Sequence, residues 1–365
     1  MKRIKMIMSF DYELPLGGCL SYSKGLFEPS EILFQIAKKK EVPIVLFVDI
    51  LSFKMFSHWN IEEYISPFRN QIERALNSGH DVQLHIHPHW LLSEFKGNQF
   101  IPSRKFKLSD FKDFTNELSI ESIIKDSTIL LTDLCLKIHD NYKCIAYRGG
   151  GYNIKPEIDR IFKALYDNGL RIDSSVVKGL YSKSDLRNED YRKTANFSNW
   201  IVNLEGDLEN KSNFGLLEIP VSTMPISYFE RIIRMTKKIR NKEYYKKIAY
   251  NHTGKGFSFK NDNFVDKIKN AYFSPLVLSF DNYTTDIKIL KKIIDFSINK
   301  YRSESEILLC SNSHPKAFGV HQQKLMSDFI DLIKSEYNEI IEFSTYRNIY
   351  DEKFSFKNKN ILNPQ

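Results

Sequence analysis

GHDVQLHIHPHW, residues 79–90, decides how the rest of the chain is read. Three of the chain's nine histidines, His85, His87 and His89, fall within five positions of this stretch. The apolar run Val82 to His85 predicts a β-strand, and the histidines follow where that strand runs into a bend. Pro88 stiffens the bend and lets His85 and His89 converge. His87 is expected to turn away from both, as a supporting or surface ring. His80 precedes the strand and reads as a turn residue.

Working outward, short apolar runs alternate with longer amphipathic stretches. Strands are predicted over residues 4–10, 43–49, 82–85, 145–147, 172–174, 216–221, 276–280, 307–310 and 340–343. Helices are predicted over 30–40, 61–77, 120–138, 157–168, 287–301 and 322–337. Ser30 reads as a helix N-cap, and Gly169 sits where a helix C-terminal glycine belongs. This alternation predicts an α/β chain of parallel βαβ units, in a doubly wound sheet or a barrel. Two stretches interrupt it. Residues 91–118 are polar and aromatic and read as a long loop. Residues 224–272 are helical in composition and strongly basic (RIIRMTKKIRNKEYYKKIAY), and read as an insertion in a single domain spanning 1–365.

Composition narrows the classes. The 365 residues are 42% hydrophobic and 13% aromatic, which suits a sizeable core and argues against disorder. The net charge of +8 is spread over lysine-rich helices, a pattern of solvated faces rather than a nucleic-acid surface. Cys19, Cys135, Cys144 and Cys310 are isolated, and no CxxC occurs, so neither a disulfide framework nor a thiolate zinc site is indicated. The start MKRIKMIMSFDYE has no signal-peptide core, and no segment has the roughly 18 apolar residues that cross a bilayer. The expectation is a cytoplasmic protein.

The ionisable residues that look out of place cluster at predicted strand ends. Asp11 and Glu13 follow IKMIMSF, and His85 to His89 follow HDVQL. Arg148 opens RGGGYN after CIAY, Asp173 and Ser174 close GLRIDSS, and His314 follows ILLCSNS. Ligands bind at the carboxyl ends of strands in barrels and open α/β sheets, so five strands would aim polar groups at one mouth. Two imidazoles plus a carboxylate with an open position make a common catalytic metal site. Asp11 and Glu13 are two apart and share a strand face.

In order and rough spacing, FDYE, GHDVQLHIHPH, YRGGGY, LRIDSS and SHP resemble the polysaccharide deacetylase family, that is, the NodB-homology domain of carbohydrate esterase family four. LLEIPVS and IIEFSTYRNI add to the likeness, which covers roughly residues 4–350. The resemblance implies a distorted (β/α) barrel with fewer than eight regular strands. It also implies metal-dependent removal of an N-acetyl or related acyl group from a sugar. Carried over position by position, it implies Asp11 as the catalytic base, His85 and His89 as metal ligands and Arg148 as the residue that orients the base. Tyr152, with Gly150 and Gly151 before it, falls where a backbone N–H helps hold the oxyanion. Asp173 is implied to support the catalytic histidine, and His314 to be that histidine. The chain departs from the family where Tyr12 replaces the second aspartate of its TFDD motif. Glu13 is then expected as the third metal ligand, although Asp11 and Glu13 could exchange roles. RGGGYN also lacks the proline that many members carry after the arginine; three glycines allow close backbone approach.

The expected cofactor is one divalent ion; zinc suits two imidazoles and a carboxylate, while cobalt, nickel or manganese could serve. The expected substrate is a carbohydrate: a glycan, a lipid-linked precursor or a nucleotide sugar. No nucleic-acid partner is expected. The basic insertion is compatible with peripheral membrane contact at the inner face. Two other readings stay open: a carbohydrate-binding barrel without chemistry, suggested by Tyr12, and a metal hydrolase of the amidohydrolase or phosphoesterase type, suggested by His85-x-His87.

Overall fold

The opening strand is buried from its second residue to its last, because strands pair along both of its edges. The computed structural model describes residues 3–16, 21–184, 186–248, 269–270, 272, 274–281 and 286–355. Its strands, in chain order, are β1 (Arg3–Tyr12), β2 (Val45–Asp49), β3 (Asp81–Ile86), β4 (Glu94–Lys96), β5 (Gln99–Ile101), β6 (Ala146–Gly149), β7 (Ile172–Asp173), β8 (Tyr181–Lys183), β9 (Asn188–Asp190), β10 (Trp200–Val202), β11 (Leu216–Glu218), β12 (Thr223–Met224), β13 (Leu276–Val277), β14 (Glu306–Ser313) and β15 (Ile341–Ser344).

Nine of these form one sheet in the order β10-β11-β7-β6-β3-β2-β1-β14, with β15 also on β1. Every pair is parallel except β10 with β11. Parallel strands need long crossovers, and helices supply them. Helices Glu28–Lys39, Glu62–Asn77, Ile120–Leu136, Ile158–Asp167, Ile287–Lys300 and Val320–Glu336 match the predicted positions within a few residues. A further helix, Ile50–His58, follows β2 directly and was not expected. Ser30 is not an N-cap: its helix begins at Glu28, and its buried hydroxyl donates to the Leu26 carbonyl one turn back at 2.7 Å. Gly169 follows the helix C-cap Asn168 at φ 89°, a conformation that costs glycine little.

The sheet curls into a half-barrel. Short backbone links join its two ends. Val221 N–H donates to Val176 O (2.9 Å), Ser222 N–H to Cys310 O (2.8 Å), Leu278 N–H to Ser222 O (2.9 Å) and Asn312 N–H to Leu278 O (3.1 Å).

The pleat then sorts side chains. Ile7, Phe47, Ala146, Ile172, Leu217, Ile219, Leu308 and Cys310 pack inside the curl. The alternate residues, such as Met6, Met8, Leu46, Leu84 and Leu309, pack outward against the helices in a larger core. A fully buried Leu, Ile or Phe stabilises by about 1.5–3 kcal/mol relative to exposure, so each strand's phase is strongly specified. At the amino end of the curl Lys5 is buried and pairs with Glu352, with Glu342 at 3.8 Å.

Residues 91–118 carry the β4–β5 hairpin and short 3₁₀ turns. The basic stretch carries helices Tyr228–Arg240 and Lys242–Ile248; its residues 249–268 lie outside the described residues. Cys135, Cys144 and Cys310 are buried and free, and Cys19 lies outside the described residues. Among the described residues no helix is long and apolar enough to cross a membrane.

Candidate active site and metal centre

The inner face that carries Ile7 on β1 continues through Ser9 and Asp11 to Glu13, so both carboxylates point into the mouth of the curl and both are buried. Tyr12 points the other way. Its hydroxyl donates to Gln71 at 2.8 Å and its ring meets Phe68 edge-on, so it fills the helix layer and takes nothing from the mouth.

On β3 the same rule places Gln83, His85 and His87 on one face. The ligand atoms of Glu13, His85 and His87 lie within 4.8 Å of one another, and this buried group could hold a metal ion. His87 was expected to turn away. The correction follows from the pleat: residues i and i+2 share a strand face, so His87 accompanies His85. His89 was expected as the second ligand and stands outside the group. It sits in the 3₁₀ turn Pro88–Leu92, with its ring against Trp90 (5.0 Å) and Phe106 (5.4 Å). Burial holds the His89 imidazole well below its ordinary range, so it is neutral.

The donor set suits a cation. His85 Nδ1 donates to the Arg148 carbonyl at 2.7 Å, which leaves Nε2, 3.2 Å from Glu13, as the nitrogen a cation would take in place of its proton. A backbone carbonyl on the far nitrogen is the usual way a ligating tautomer is fixed. His87 Nε2 is buried against Glu13 without a hydrogen bond. Lys316 also pairs with Glu13. Burial alone would raise the Glu13 carboxyl, but Lys316 and His87 outweigh it and hold it well below the usual range. Burial likewise opposes charge on His85, yet Asp11 and Glu13 raise it to about 9.

Arg148 is fully buried and organises the second carboxylate. Its Nη1 donates to Asp11 Oδ1, Ser9 Oγ and Asn312 Oδ1, each at 2.9 Å, and its guanidinium lies 4.1 Å over the Phe47 ring. Asn312 Nδ2 donates to the other Asp11 oxygen at 3.0 Å. Burial would raise Asp11, but Arg148 first, then His85 and His314, keep it below its ordinary value.

His314 ends the inner face of β14. Nε2 faces Asp11 Oδ2 and Glu13 Oε1, each 3.5 Å away. Nδ1 donates to Asp281 Oδ2 at 2.8 Å, and the backbone N–H of His314 donates to Asp281 Oδ1 at 2.9 Å. Burial would lower this imidazole; Asp281 reverses the sign and raises it.

The expectation that Asp173 supports His314 is therefore corrected. Asp173 alternates with the inward Ile172 and so faces outward. It accepts from Ser175 Oγ (2.8 Å) and Ser175 N (3.1 Å) and shares a buried hydrogen bond with Glu218, which burial pushes far up as the protonated partner.

RGGGY forms the rim. Gly150 lies so close to His87 that a Cβ there would meet the His87 ring and the Ile86 carbonyl at 2.6 Å each, so only glycine fits. Gly151 and Tyr152 both have positive φ, 63° and 66°, which turns the chain over the mouth. Gly150, Gly151, Tyr152, Arg187 and Phe106 line a cleft of about 180 Å³ with Asp11, Glu13, His87, His314 and Lys316. The Tyr152 hydroxyl accepts from Asn312 Nδ2 at 2.7 Å.

No protein-family model matches the chain, and none of the curated proteins does. Solved structures do resemble it. A putative polysaccharide deacetylase from Mycobacterium smegmatis superposes with TM-score 0.50 at 12% identity, over 98% of this chain and 92% of that one. The fold is that of the NodB-type deacetylases. The Puue allantoinase (TM-score 0.47, 12% identity, 97% and 92% covered) and a probable polysaccharide deacetylase from Pseudomonas aeruginosa PAO1 (0.45, 11%, 97% and 92%) also align.

Lys316 lines the cleft and Asp281, Asp49 and Asn312 hold its side chains from behind, all four on weaker sequence signals. Asp281 follows the apolar run LVLSF just as Asp11 follows IKMIMSF, and that parallel was the available signal. Asp49 closes IVLFVD, shares the inner face with Phe47, and accepts from Trp90 Nε1 at 2.6 Å; burial raises it to about 6. Asn312 shares the inward phase of Cys310 and His314 on β14. Lys316 has no periodic signal, because it lies on the turn Pro315–Ala317.

Proposed function

We propose that this chain is a metal-dependent hydrolase that removes an N-acetyl or related acyl group from a sugar, within one catalytic domain. One observation carries the reading. A Glu-His-His group able to hold a cation, an arginine-held aspartate and an aspartate-held histidine converge on one cleft.

A divalent ion bound by Glu13, His85 and His87 would supply Lewis acidity, lowering the pKa of a water and polarising the acyl oxygen. The donor chemistry favours zinc, with cobalt, nickel or manganese as substitutes. Asp11, aimed by Arg148 and Asn312, takes the proton of the attacking water as oxygen bonds to the acyl carbon. The N–H of Tyr152, on the glycine-rich rim of the cleft, is the donor assigned to the developing oxyanion; one such donor contributes about 3–4 kcal/mol. His314, kept cationic by Asp281, gives its Nε2 proton to the departing nitrogen as the C–N bond breaks, a step worth about 10²–10⁴-fold. The products are a carboxylate and a free amine.

The substrate class we favour is a glycan or glycan precursor, lipid-linked or nucleotide-linked, met in the cytoplasm or at the inner membrane face. The exposed apolar residues Phe229, Ile233 and Ile239 on the basic helix Tyr228–Arg240 support peripheral contact with an anionic bilayer. The test is acetate release from chitooligosaccharides and nucleotide-linked N-acetyl sugars by metal-loaded protein. Asp11→Asn should keep the metal and abolish turnover. Bound metal without acetate release from any of these would sink the reading.

A further inference from the structure

A second cavity, about 370 Å³ in volume, lies beside the same β8–β9 hairpin that borders the cleft. Leu186 and Arg187 at the tip of the hairpin line the cleft, and Gly179 and Arg192 at its base line this cavity. The five residue-to-residue steps from Arg187 to Arg192 span about 16 Å at about 3.3 Å each. The tip is tied to the catalytic rim, since Asn153 Nδ2 donates to Leu186 O at 2.9 Å.

The cavity wall carries Lys178, Arg192, Arg231 and Lys300, and among the described residues no aspartate or glutamate lines it. Lys178 is buried. Its ammonium donates to the carbonyls of Ala195 (2.7 Å) and Phe197, and lies 4.5 Å over the Trp200 ring. Burial drives Lys178 down to about 7 and also lowers Lys300 and Arg231. Lys300 lies 5.1 Å over the Tyr301 ring. Arg231 Nη1 donates to Ser274 O at 2.9 Å, and Arg192 is chelated by Asp190 at 2.8 and 2.6 Å. Asp190 already neutralises Arg192, and Glu304 partly offsets Lys178 and Lys300. Burial still lowers Lys178, Lys300 and Arg231, and gathering such cations round one cavity is costly unless a further anion shares it. A guanidinium beside an ammonium matches phosphate oxygens, and the volume falls in the range of small-ligand sites.

We propose that this cavity binds the phosphate groups of a diphosphate-bearing ligand, with Arg231 and Lys300 contacting the anion and Lys178 forming the wall behind them. The site stands independently of the acyl chemistry proposed above, because it shares no lining residue with the cleft.

The test is calorimetric titration of the full chain with pyrophosphate and with inorganic phosphate. Expected is saturable one-to-one binding of pyrophosphate, weakened about tenfold or more by Arg231→Gln and by Lys300→Gln, the change expected when a charge-assisted hydrogen bond is lost. His87→Ala, in the cleft, should leave it unchanged. Both cation variants are checked for unaltered melting, and Arg231→Lys should recover part of the affinity. No saturable binding, or binding untouched by both cation variants, overturns the proposal. Vesicles of phosphatidylcholine with phosphatidic acid separate the sources. Capture that pyrophosphate reverses and Arg231→Gln abolishes supports the site and makes the phosphate a lipid headgroup. Capture that pyrophosphate leaves untouched, with no calorimetric signal, overturns it in favour of a membrane face.

Discussion

Asp281 Oδ2 lies 2.8 Å from His314 Nδ1, and Asp281 Oδ1 accepts the His314 backbone N–H, so one carboxylate fixes both the tautomer and the direction of the ring. A histidine oriented in this way presents a protonated Nε2 to the cleft. Asp281→Asn removes the charge that raises His314 and lets burial lower it. The proton donor is then lost at lower pH. The alkaline limb of the pH–rate profile should move down by about one unit or more. Asp173→Asn should leave that limb in place. A limb that moves with Asp173 and not with Asp281 would refute the pairing.

Elemental analysis of purified variants separates the histidines. His85→Ala, His87→Ala and Glu13→Gln should each lose bound metal, because their donor atoms form one group. His89→Ala should keep it and change stability instead, since His89 packs on Trp90 and Phe106.

Lys316 competes with any cation for Glu13, because its ammonium pairs with the carboxylate that the metal would use. Lys316→Met removes that competitor and its positive field. Metal affinity should tighten by about tenfold, read by competition with a chelating dye. Unchanged affinity would mean that the lysine swings away at no cost when metal enters.

Arg148→Met should destabilise the fold as well as abolish turnover. The guanidinium is fully buried and is the charge partner of Asp11. Removing one member of a buried pair typically costs about 3–5 kcal/mol. Chemical denaturation should show this loss, and Asp11→Asn should recover part of it in the double variant.

Glu189 gives a pH signature outside the cleft. It is buried, accepts from the N–H groups of Ile154 (3.0 Å) and Lys155 (3.3 Å), and burial raises it to about 8. A raised carboxyl binds more protons folded than unfolded. Its contribution is full below pH 4.5 and is lost as pH rises towards 8. Glu189→Gln has no such loss. Its melting temperature relative to the parent chain should climb across that window, by the equivalent of a few kcal/mol, on the order of one pKa unit per 1.4 kcal/mol.

The strand ends were legible because apolar runs that stop at Asp, Glu, His or Arg leave few other readings. Asp11, Glu13, His85, Arg148 and His314 all surfaced in this way, and all five sit at one mouth. The phase of each strand is equally present in the sequence: with Ile172 inward, Asp173 must face outward, and with His85 inward, His87 follows it.

The chain by itself determined the alternation of strand and helix, the order in which polar groups reach the strand ends, and the shared face of Asp11 and Glu13. These follow from periods of two and 3.6 residues, which are local. Only the tertiary structure decided which partner each group meets. Asp281 reaches His314 across 33 residues, and Lys316 reaches Glu13 across 303. Curling the sheet brings β1, β3, β6 and β14 round one axis, and no local pattern encodes that closure.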